Sequence, residues 1–189
     1  VYAAQPLADA PGERFQYASG ATNLLCQLLR SALADDAAYW RLGAELGRLG
    51  LDSGVLETDA SGTFVGSSYG FATAREWARF GLVYANDGRL GDQQVLPAAW
   101  VRAARTPVEA SGGRYGQQLW LNADPDGDGP RRRRWPELPE DLCRMDGHEG
   151  QHVVMCPADK LVVVRLGCTK HGSFDMRSLV RAVHAALRP

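Results

Sequence analysis

Residues 151–167 read QHVVMCPADKLVVVRLG and hold two valine-rich apolar runs on either side of a short polar segment. Valine favours strands because its branched side chain packs well on a pleated surface. The segment between the runs, Pro157 to Lys160, combines a proline with a charged pair and is typical of a tight turn. The stretch therefore predicts an antiparallel hairpin whose strands are Gln151–Cys156 and Leu161–Gly167.

Sequence on both sides of the hairpin has the spacing of helices. Apolar residues recur every three or four positions over 174–187, which predicts an amphipathic closing helix. The same spacing appears near the N-terminus in a leucine stripe at positions 24, 25, 28, 29 and 33. Thr73 and Glu76 match a capping box, in which two side chains satisfy each other's backbone at the start of a helix.

The order of these elements, helices before strands, predicts an α+β fold. We expect one domain over 1–189, with a helical part over about 1–115 and an antiparallel sheet plus closing helix over about 116–189. The 21 basic and 22 acidic residues leave a net charge of −1, so no global field attracts nucleic acid. No apolar run approaches the ~20 residues that span a bilayer. We therefore expect neither a nucleic-acid partner nor a membrane span.

Four cysteines, Cys26, Cys143, Cys156 and Cys168, show no CxxC spacing. Because three of them lie in or beside helix-like or strand-like runs, we interpret the four as buried free thiols. A bridge between Cys143 and Cys156 remains an alternative in an oxidising compartment, since disulfide connectivity cannot be read from sequence.

Residues 148–152 match the H-E-x-x-H pattern of zinc hydrolases, which on a helix places both histidines on one face. Gly150 weakens a helix, and the valines that follow favour a strand. On a strand His148 and His152 would lie ~13 Å apart, too far for two Zn–N bonds of ~2 Å. The position of a third histidine in such enzymes is occupied by Ala158. We therefore expect no zinc site.

An acidic segment at 124–129 begins like a calcium-binding loop, but its twelfth position is Trp135 instead of a bidentate glutamate. We interpret it as a solvated loop within a polar stretch over about 123–140. Arg131–Arg134 follow and balance its charge. The sequence thus indicates no metal and no cofactor.

Three ordered stretches carry a resemblance to a known family. They cover residues 11–25, where Tyr17 and Ser19 precede a helix, residues 59–81, and residues 147–167. Together they resemble the β-lactamase and penicillin-binding-protein-like serine hydrolases, in particular class C enzymes, esterases and the 6-aminohexanoate-dimer-hydrolase-like group. The resemblance implies that the chain forms part of the β-lactamase/transpeptidase-like fold.

The resemblance also implies roles for six residues. Tyr17 would be the general base or proton relay beside the nucleophile. His148 would belong to the family's Lys-Thr-Gly element in its His-x-Gly form, on the sheet-edge strand that lines the cleft. A phenol with a pKa of ~10 acts as a base only if positive charge or a shared proton supports it. Substrate contacts are implied for the other four residues, Ser19, Tyr69, Gly150 and Gln151.

The family's nucleophile, the serine of Ser-x-x-Lys, has no counterpart in this sequence. The only lysines are Lys160 and Lys170, and three positions before them stand Pro157 and Gly167. Residues 1–4, VYAA, resemble neither a start methionine nor a signal peptide. We therefore expect the C-terminal portion of a longer hydrolase domain, inactive alone.

Two functions remain open from the sequence. The first is a serine hydrolase that cleaves a β-lactam, peptide or other amide or ester through an acyl-enzyme. Its partners would be the small-molecule substrate and the N-terminal remainder of the domain or a covering chain. The second is a catalytically silent module that binds a peptide, glycan or protein. The resemblance favours an exported protein, and a cytoplasmic one stays open.

Overall fold

The computed structural model describes residues 2–33, 35–128, 132–170 and 173–187. Gly129 and Arg131, which belong to the acidic segment and the arginine run, lie outside these ranges. The helices are α1 (Ser19–Ala32), α2 (Asp36–Ala44), α3 (Ala74–Ala85), α4 (Ala98–Ala104) and α5 (Met176–Ala186). The strands are β1 (Val55–Leu56), β2 (Gly70–Phe71), β3 (Arg89–Leu90), β4 (Gln93–Gln94), β5 (Trp120–Leu121), β6 (Ala123–Asp128), β7 (Cys143–Gly147), β8 (Gln151–Cys156) and β9 (Leu161–Arg165). None of the described helices is both long and apolar enough to cross a membrane.

Four strands form the main antiparallel sheet in the order β5-β7-β8-β9. The predicted hairpin is confirmed, because β8 and β9 pair with Val154 opposite Val163 and a 3-10 turn at Pro157–Asp159 joins them. β9 ends at Arg165, two residues earlier than predicted. Within the described residues, the outer edge of β9 pairs with no other strand.

The two faces of this sheet pack against different helices, because successive side chains on a strand point to opposite sides. One face sends Met155 into a core shared with Tyr84 of α3 and Val101 of α4. The other face sends Val154 into a core shared with Val180 of α5. Each such side chain contributes about 1.5–3 kcal/mol when it is fully buried. The predicted α+β fold with an antiparallel sheet and a closing helix is confirmed.

Several local elements differ from the sequence prediction. The strand predicted at 117–122 is limited to the two residues of β5. Two short hairpins, β1–β2 and β3–β4, interrupt the part that was predicted to be helical. Residues 123–128 form β6 instead of a solvated loop, because the Asp124 N–H donates to the Arg132 carbonyl at 2.6 Å.

The proposed bridge between Cys143 and Cys156 is wrong. Cys143 lies in the core on the α3 side of the sheet and Cys156 in the core on the α5 side, so the sheet separates the two sulfurs. Both are buried free thiols as predicted, and burial raises the pKa of each to about 12. Cys26 is only partly buried and Cys168 is exposed, so the prediction of burial is wrong for Cys168.

The predicted capping box at the start of α3 is present. The Thr73 hydroxyl accepts from the Glu76 N–H at 3.3 Å, and the Glu76 carboxylate accepts from the Thr73 N–H at 2.8 Å. The same carboxylate also accepts from the backbone N–H and the hydroxyl of Ser53. The Ser53 backbone bond, followed by the Thr73 bonds, lowers the pKa of Glu76 to about 2. Glu76 thus joins the helix start to the loop that precedes β1.

We expect Glu76→Gln to remove a pH-dependent part of the stability. Because the folded pKa is depressed to about 2 from an ordinary value of 4.5, the contribution is complete above pH 4.5 and is lost as the pH falls towards 2. The urea midpoints of the wild type and the variant should therefore differ at pH 7 and converge near pH 2. Glu45→Gln, at an exposed ion pair with Arg48, is the matched control and should retain the wild-type pH profile. A constant gap between the wild type and Glu76→Gln across this range would contradict the expectation.

Candidate active site

Tyr17 lies in the extended segment ahead of α1, on a cluster of aromatic rings. Its ring centroid is 5.2 Å from that of Trp120, and it meets Tyr115 edge-on at 5.8 Å. Phe15 packs on the other side of Tyr115 at 5.1 Å. We call these four residues the aromatic cluster. Tyr17 keeps 57% of its surface exposed whereas Tyr115 keeps 9%, so Tyr17 is the member whose ring is open to a ligand.

Helix α1 connects the neighbourhood of Tyr17 to the loop that carries Tyr69. Ser19 is the first residue of α1 and is exposed. One turn later, the Asn23 side-chain carbonyl accepts from the Ser67 N–H at 3.2 Å, which fixes the loop before β2 against the helix. Tyr69 lies in that loop, is 57% exposed and has a φ of 61°. In the described part of the chain it shares no ring contact with Tyr17.

The His-x-Gly element lies in a turn and not on a strand, so that part of the sequence prediction is wrong. His148–Gly150 form a single 3-10 turn between β7 and β8, and Glu149 has a φ of 55° and Gly150 a φ of 81°. Two left-handed residues in succession cannot continue an extended strand. The His148 side chain is 94% exposed. His152, the other histidine of the H-E-x-x-H pattern, instead contacts Asp146 on the sheet, with 2.9 Å between Nδ1 and Oδ1.

The turn is held in place by the segment after β9. The N–H and the hydroxyl of Thr169 both donate to the Glu149 carbonyl, at 3.0 and 3.1 Å. The Arg165 guanidinium donates to the Gly150 carbonyl. A Cβ on Gly150 would lie 2.5 Å from Arg165 Nη1 and 2.7 Å from Thr169 Oγ1, so glycine is needed for these contacts as well as for its positive φ. The backbone of the turn is therefore firmly positioned, and the exposed His148 side chain has its Nε2 at 3.8 Å from Glu149 Oε1.

Gln151, for which the resemblance implies a substrate contact, is engaged within the protein. Its side-chain carbonyl accepts from the Gly167 N–H at 2.9 Å, and its amide donates to the Gly167 carbonyl. The two bonds reproduce a strand-like pair between the start of β8 and the segment that follows β9. These bonds use one N–H and one carbonyl lone pair of the amide, so the second N–H and the second lone pair remain for a substrate contact.

Sequence reasoning missed a charged network behind Trp120. Arg144 on β7 is 5% exposed, and its guanidinium carbon lies 5.8 Å from the Trp120 ring centroid and 5.3 Å from that of Trp135. Its Nε pairs with Asp146 at 2.8 Å, and Asp146 in turn meets His152. The signal in the sequence was the alternation Arg144-x-Asp146, which places both side chains on one face once 143–147 is recognised as a strand.

The charges of this network support one another. Burial lowers the pKa of Arg144, although guanidinium groups stay protonated in proteins. Burial also opposes ionisation of Asp146, but the His152 hydrogen bond and the Arg144 charge outweigh it, and the pKa of Asp146 is lowered. The pair is therefore ionised at neutral pH. Among the described residues, no group of three or more His, Cys, Asp or Glu side chains is arranged to hold a metal ion.

Comparison with known families agrees with the fold and with the ordered motifs. The family model described as Beta-lactamase matches residues 1–188 of the chain. The chain therefore belongs to the beta-lactamase family, and the resemblance noted in its sequence is confirmed. A search of curated proteins found no match.

Solved structures show the same fold at low sequence identity. A protein described as a 6-aminohexanoate-dimer hydrolase from Bacillus anthracis superposes with a TM-score of 0.68 and 20% identity over 95% of this chain and 45% of its own. A protein described as a beta-lactamase from Bacteroides dorei DSM 17855 gives 0.67 and 16% over 96% of this chain and 61% of its own. A beta-lactamase of Mycobacterium bovis gives 0.66 and 15%, over 95% and 65%. This chain thus spans about half to two thirds of the length of these structures.

Proposed function

We propose that residues 1–189 form the C-terminal portion of a serine hydrolase that cleaves an amide or ester through an acyl-enzyme, with Tyr17 as base or proton relay. The observation that carries the proposal is an exposed tyrosine on a packed aromatic cluster at the start of α1, in a chain that belongs to the beta-lactamase family. The substrate would be a small molecule of the β-lactam, peptide or ester type.

The nucleophile would come from a segment outside these residues. The sequence holds no serine three positions before either of its lysines, Lys160 and Lys170. An activated serine needs a neighbouring base, and in this family's Ser-x-x-Lys motif that neighbour is a lysine one helical turn later. The shorter span of the chain relative to the solved structures is consistent with such a missing segment.

Apolar surface on α1 supports the same proposal. The leucine stripe predicted from sequence does form on this helix, but Leu25, Leu28 and Leu29 are 55%, 64% and 45% exposed. Contiguous apolar surface on a folded protein marks a contact site. The outer edge of β9, which pairs with no other strand among the described residues, offers backbone groups that a further strand would satisfy. We therefore propose that the N-terminal remainder of the domain, or a covering chain, packs on α1 and along β9.

The exposed turn at His148 would form one wall of the cleft. Its rigid backbone presents an exposed imidazole beside the Glu149 carboxylate, and this imidazole would orient a substrate carboxylate when protonated and donate a hydrogen bond when neutral. Gly150 and Gln151 would contribute to the same wall mainly by fixing the turn. Ser19, at the start of α1, and Tyr69, in the loop that Asn23 fixes against α1, would line the opposite side of the cleft.

A fluorophosphonate probe tests the proposal. We expect no covalent labelling of the 189-residue chain and stoichiometric labelling of a polypeptide extended by the upstream coding region, at the serine of a Ser-x-x-Lys motif. Replacing that serine by alanine is the control and should abolish labelling. Labelling of the 189-residue chain itself would overturn the proposal, because the nucleophile would then lie within these residues. An upstream region without the motif would also overturn it and would leave the silent binding module as the explanation.

A further inference from the structure

Tyr17 owes its orientation to stacking and not to a hydrogen bond. Within the described residues its side chain contacts the rings of Trp120 and Tyr115 and has no hydrogen-bond partner. Ring contacts of this kind favour edge-on and offset arrangements and so restrict the relative tilt of the rings. The position of the Tyr17 hydroxyl therefore depends on how firmly Trp120 is held.

Trp120 meets Tyr115 edge-on, with 5.0 Å between the ring centroids, and forms an isolated β-bridge with it, but its strand is short. β5 is two residues long and pairs with β7 only through Trp120–Arg144 and Leu121–Cys143. Directly opposite Trp120 in this register stands Arg144, whose guanidinium lies over the Trp120 ring. The same guanidinium lies over Trp135, so it is placed between the two indoles. Cation–π contacts are stronger between desolvated groups than at exposed sites.

We propose that Arg144 is a positioning residue for Tyr17, acting through Trp120, with Asp146 and His152 holding the guanidinium in place. This inference rests on the proposed role of Tyr17 in catalysis. A buried ion pair such as Arg144–Asp146 adds little net stability, because the cost of desolvation offsets the attraction, and apolar residues of the same size often serve as well. Its benefit is orientation: a planar guanidinium fixed by a carboxylate has one direction in which to stack.

The geometry of β7 explains why Arg144, Asp146 and His152 are all needed to hold the guanidinium in place. Arg144 and Asp146 are two positions apart and therefore share a face of the strand. His152 is directly opposite Asp146 on β8 and contacts the other oxygen of its carboxylate. Both carboxylate oxygens are thus occupied, so Asp146 cannot rotate and release Arg144. The chain of contacts runs from His152 through Asp146, Arg144 and Trp120 to Tyr17.

A fluorine NMR experiment on the 189-residue chain tests this inference without any catalytic step. The tyrosines are replaced by 3-fluorotyrosine, and Tyr17→Phe assigns the Tyr17 resonance. In Arg144→Met we expect that resonance to move towards the value of free fluorotyrosine, while those of the buried Tyr39 and Tyr84 stay unchanged. An unmoved Tyr17 resonance, with Tyr39 and Tyr84 at their native positions, overturns the inference.

Two further variants protect the experiment against misfolding and non-specific effects. If Arg144→Met disturbs Tyr39 and Tyr84, Arg144→Lys decides the matter, since it keeps the charge beside Asp146 but loses the planar group. Arg144→Lys should shift the Tyr17 resonance by a smaller amount. If this variant is folded and the resonance does not shift, the result counts against the inference. Arg30→Met is the matched control: Arg30 lies 5.6 Å from the Tyr39 ring centroid, so its loss should move Tyr39 and leave Tyr17 in place.

Kinetics of the extended polypeptide separate this inference from the proposed function. Arg144→Met should lower kcat roughly 10- to 100-fold with little change in KM, because a misplaced base slows the chemical step. Rates are normalised to the fraction of protein that a fluorophosphonate titrates, so partial unfolding does not contribute. A wild-type kcat in Arg144→Met rejects the positioning role alone, whereas a wild-type rate in Tyr17→Phe rejects the role of Tyr17 in the proposed function.

Discussion

Replacing Tyr17 by phenylalanine in the extended polypeptide should lower the rate of acylation by about 10²- to 10⁴-fold, the range that a general base contributes. Phenylalanine keeps the ring that packs on Trp120 and Tyr115 and removes only the hydroxyl, so the loss would report on proton transfer and not on packing. The rate of covalent labelling by a fluorophosphonate and the hydrolysis of a chromogenic ester both measure it.

The choice of Tyr17 over its neighbours follows from exposure. Tyr115, in the same cluster, is 9% exposed, and burial raises its pKa to about 12, so its phenol is harder to deprotonate than an ordinary one and is closed to a ligand. Tyr84, on the buried face of α3, also has its pKa raised to about 12 by burial. Tyr84→Phe is therefore the matched control and should acylate at the wild-type rate. Equal rates for Tyr17→Phe and Tyr84→Phe would assign the proton transfer to another group.

Most of the fold could be predicted because its decisive part is local. The β8–β9 hairpin lies in one continuous stretch, so valine content and the turn at Pro157 were sufficient. β7 was missed because its five residues include Arg144, Asp146 and Gly147, which do not indicate a strand until the partner β8 is known. The leucine stripe predicted α1 correctly, but Leu25, Leu28 and Leu29 of that stripe are exposed in the structure. Periodicity reveals an amphipathic helix and does not reveal whether its partner belongs to the same chain.

The part of the candidate site that lies in one sequence motif could be predicted. The part that the fold brings together from distant positions could not. Tyr17 stands out because its surroundings match an ordered motif. Arg144 and Trp120 are 24 positions apart in sequence and become neighbours only through the register of β5 and β7. The turn at His148 depends on Thr169 and Arg165, which approach it only because β9 runs back along β8. Such contacts follow from topology, which single-residue patterns do not encode.

Asp146→Ala should cost about 3 kcal/mol of the free energy of unfolding, the lower end of the range for breaking a buried ion pair. The cost arises because Arg144, with 6% of its side chain exposed, would retain a buried charge without its carboxylate partner. The lower end applies because Asp146 itself is 29% exposed and the Leu121 carbonyl still accepts from Arg144 at 3.5 Å. Urea unfolding at pH 7 measures the difference.

A double variant identifies the source of that cost. In Arg144→Met/Asp146→Ala the unpaired charge is gone and methionine fills the space between Trp120 and Trp135, so we expect most of the lost stability to return. If the double variant is as unstable as Asp146→Ala, the loss comes from the contact with His152 and not from Arg144. If stability recovers while the Tyr17 resonance is displaced, the ion pair orients the site and adds little to the stability of the fold. The two measurements would then respond to different parts of the same network.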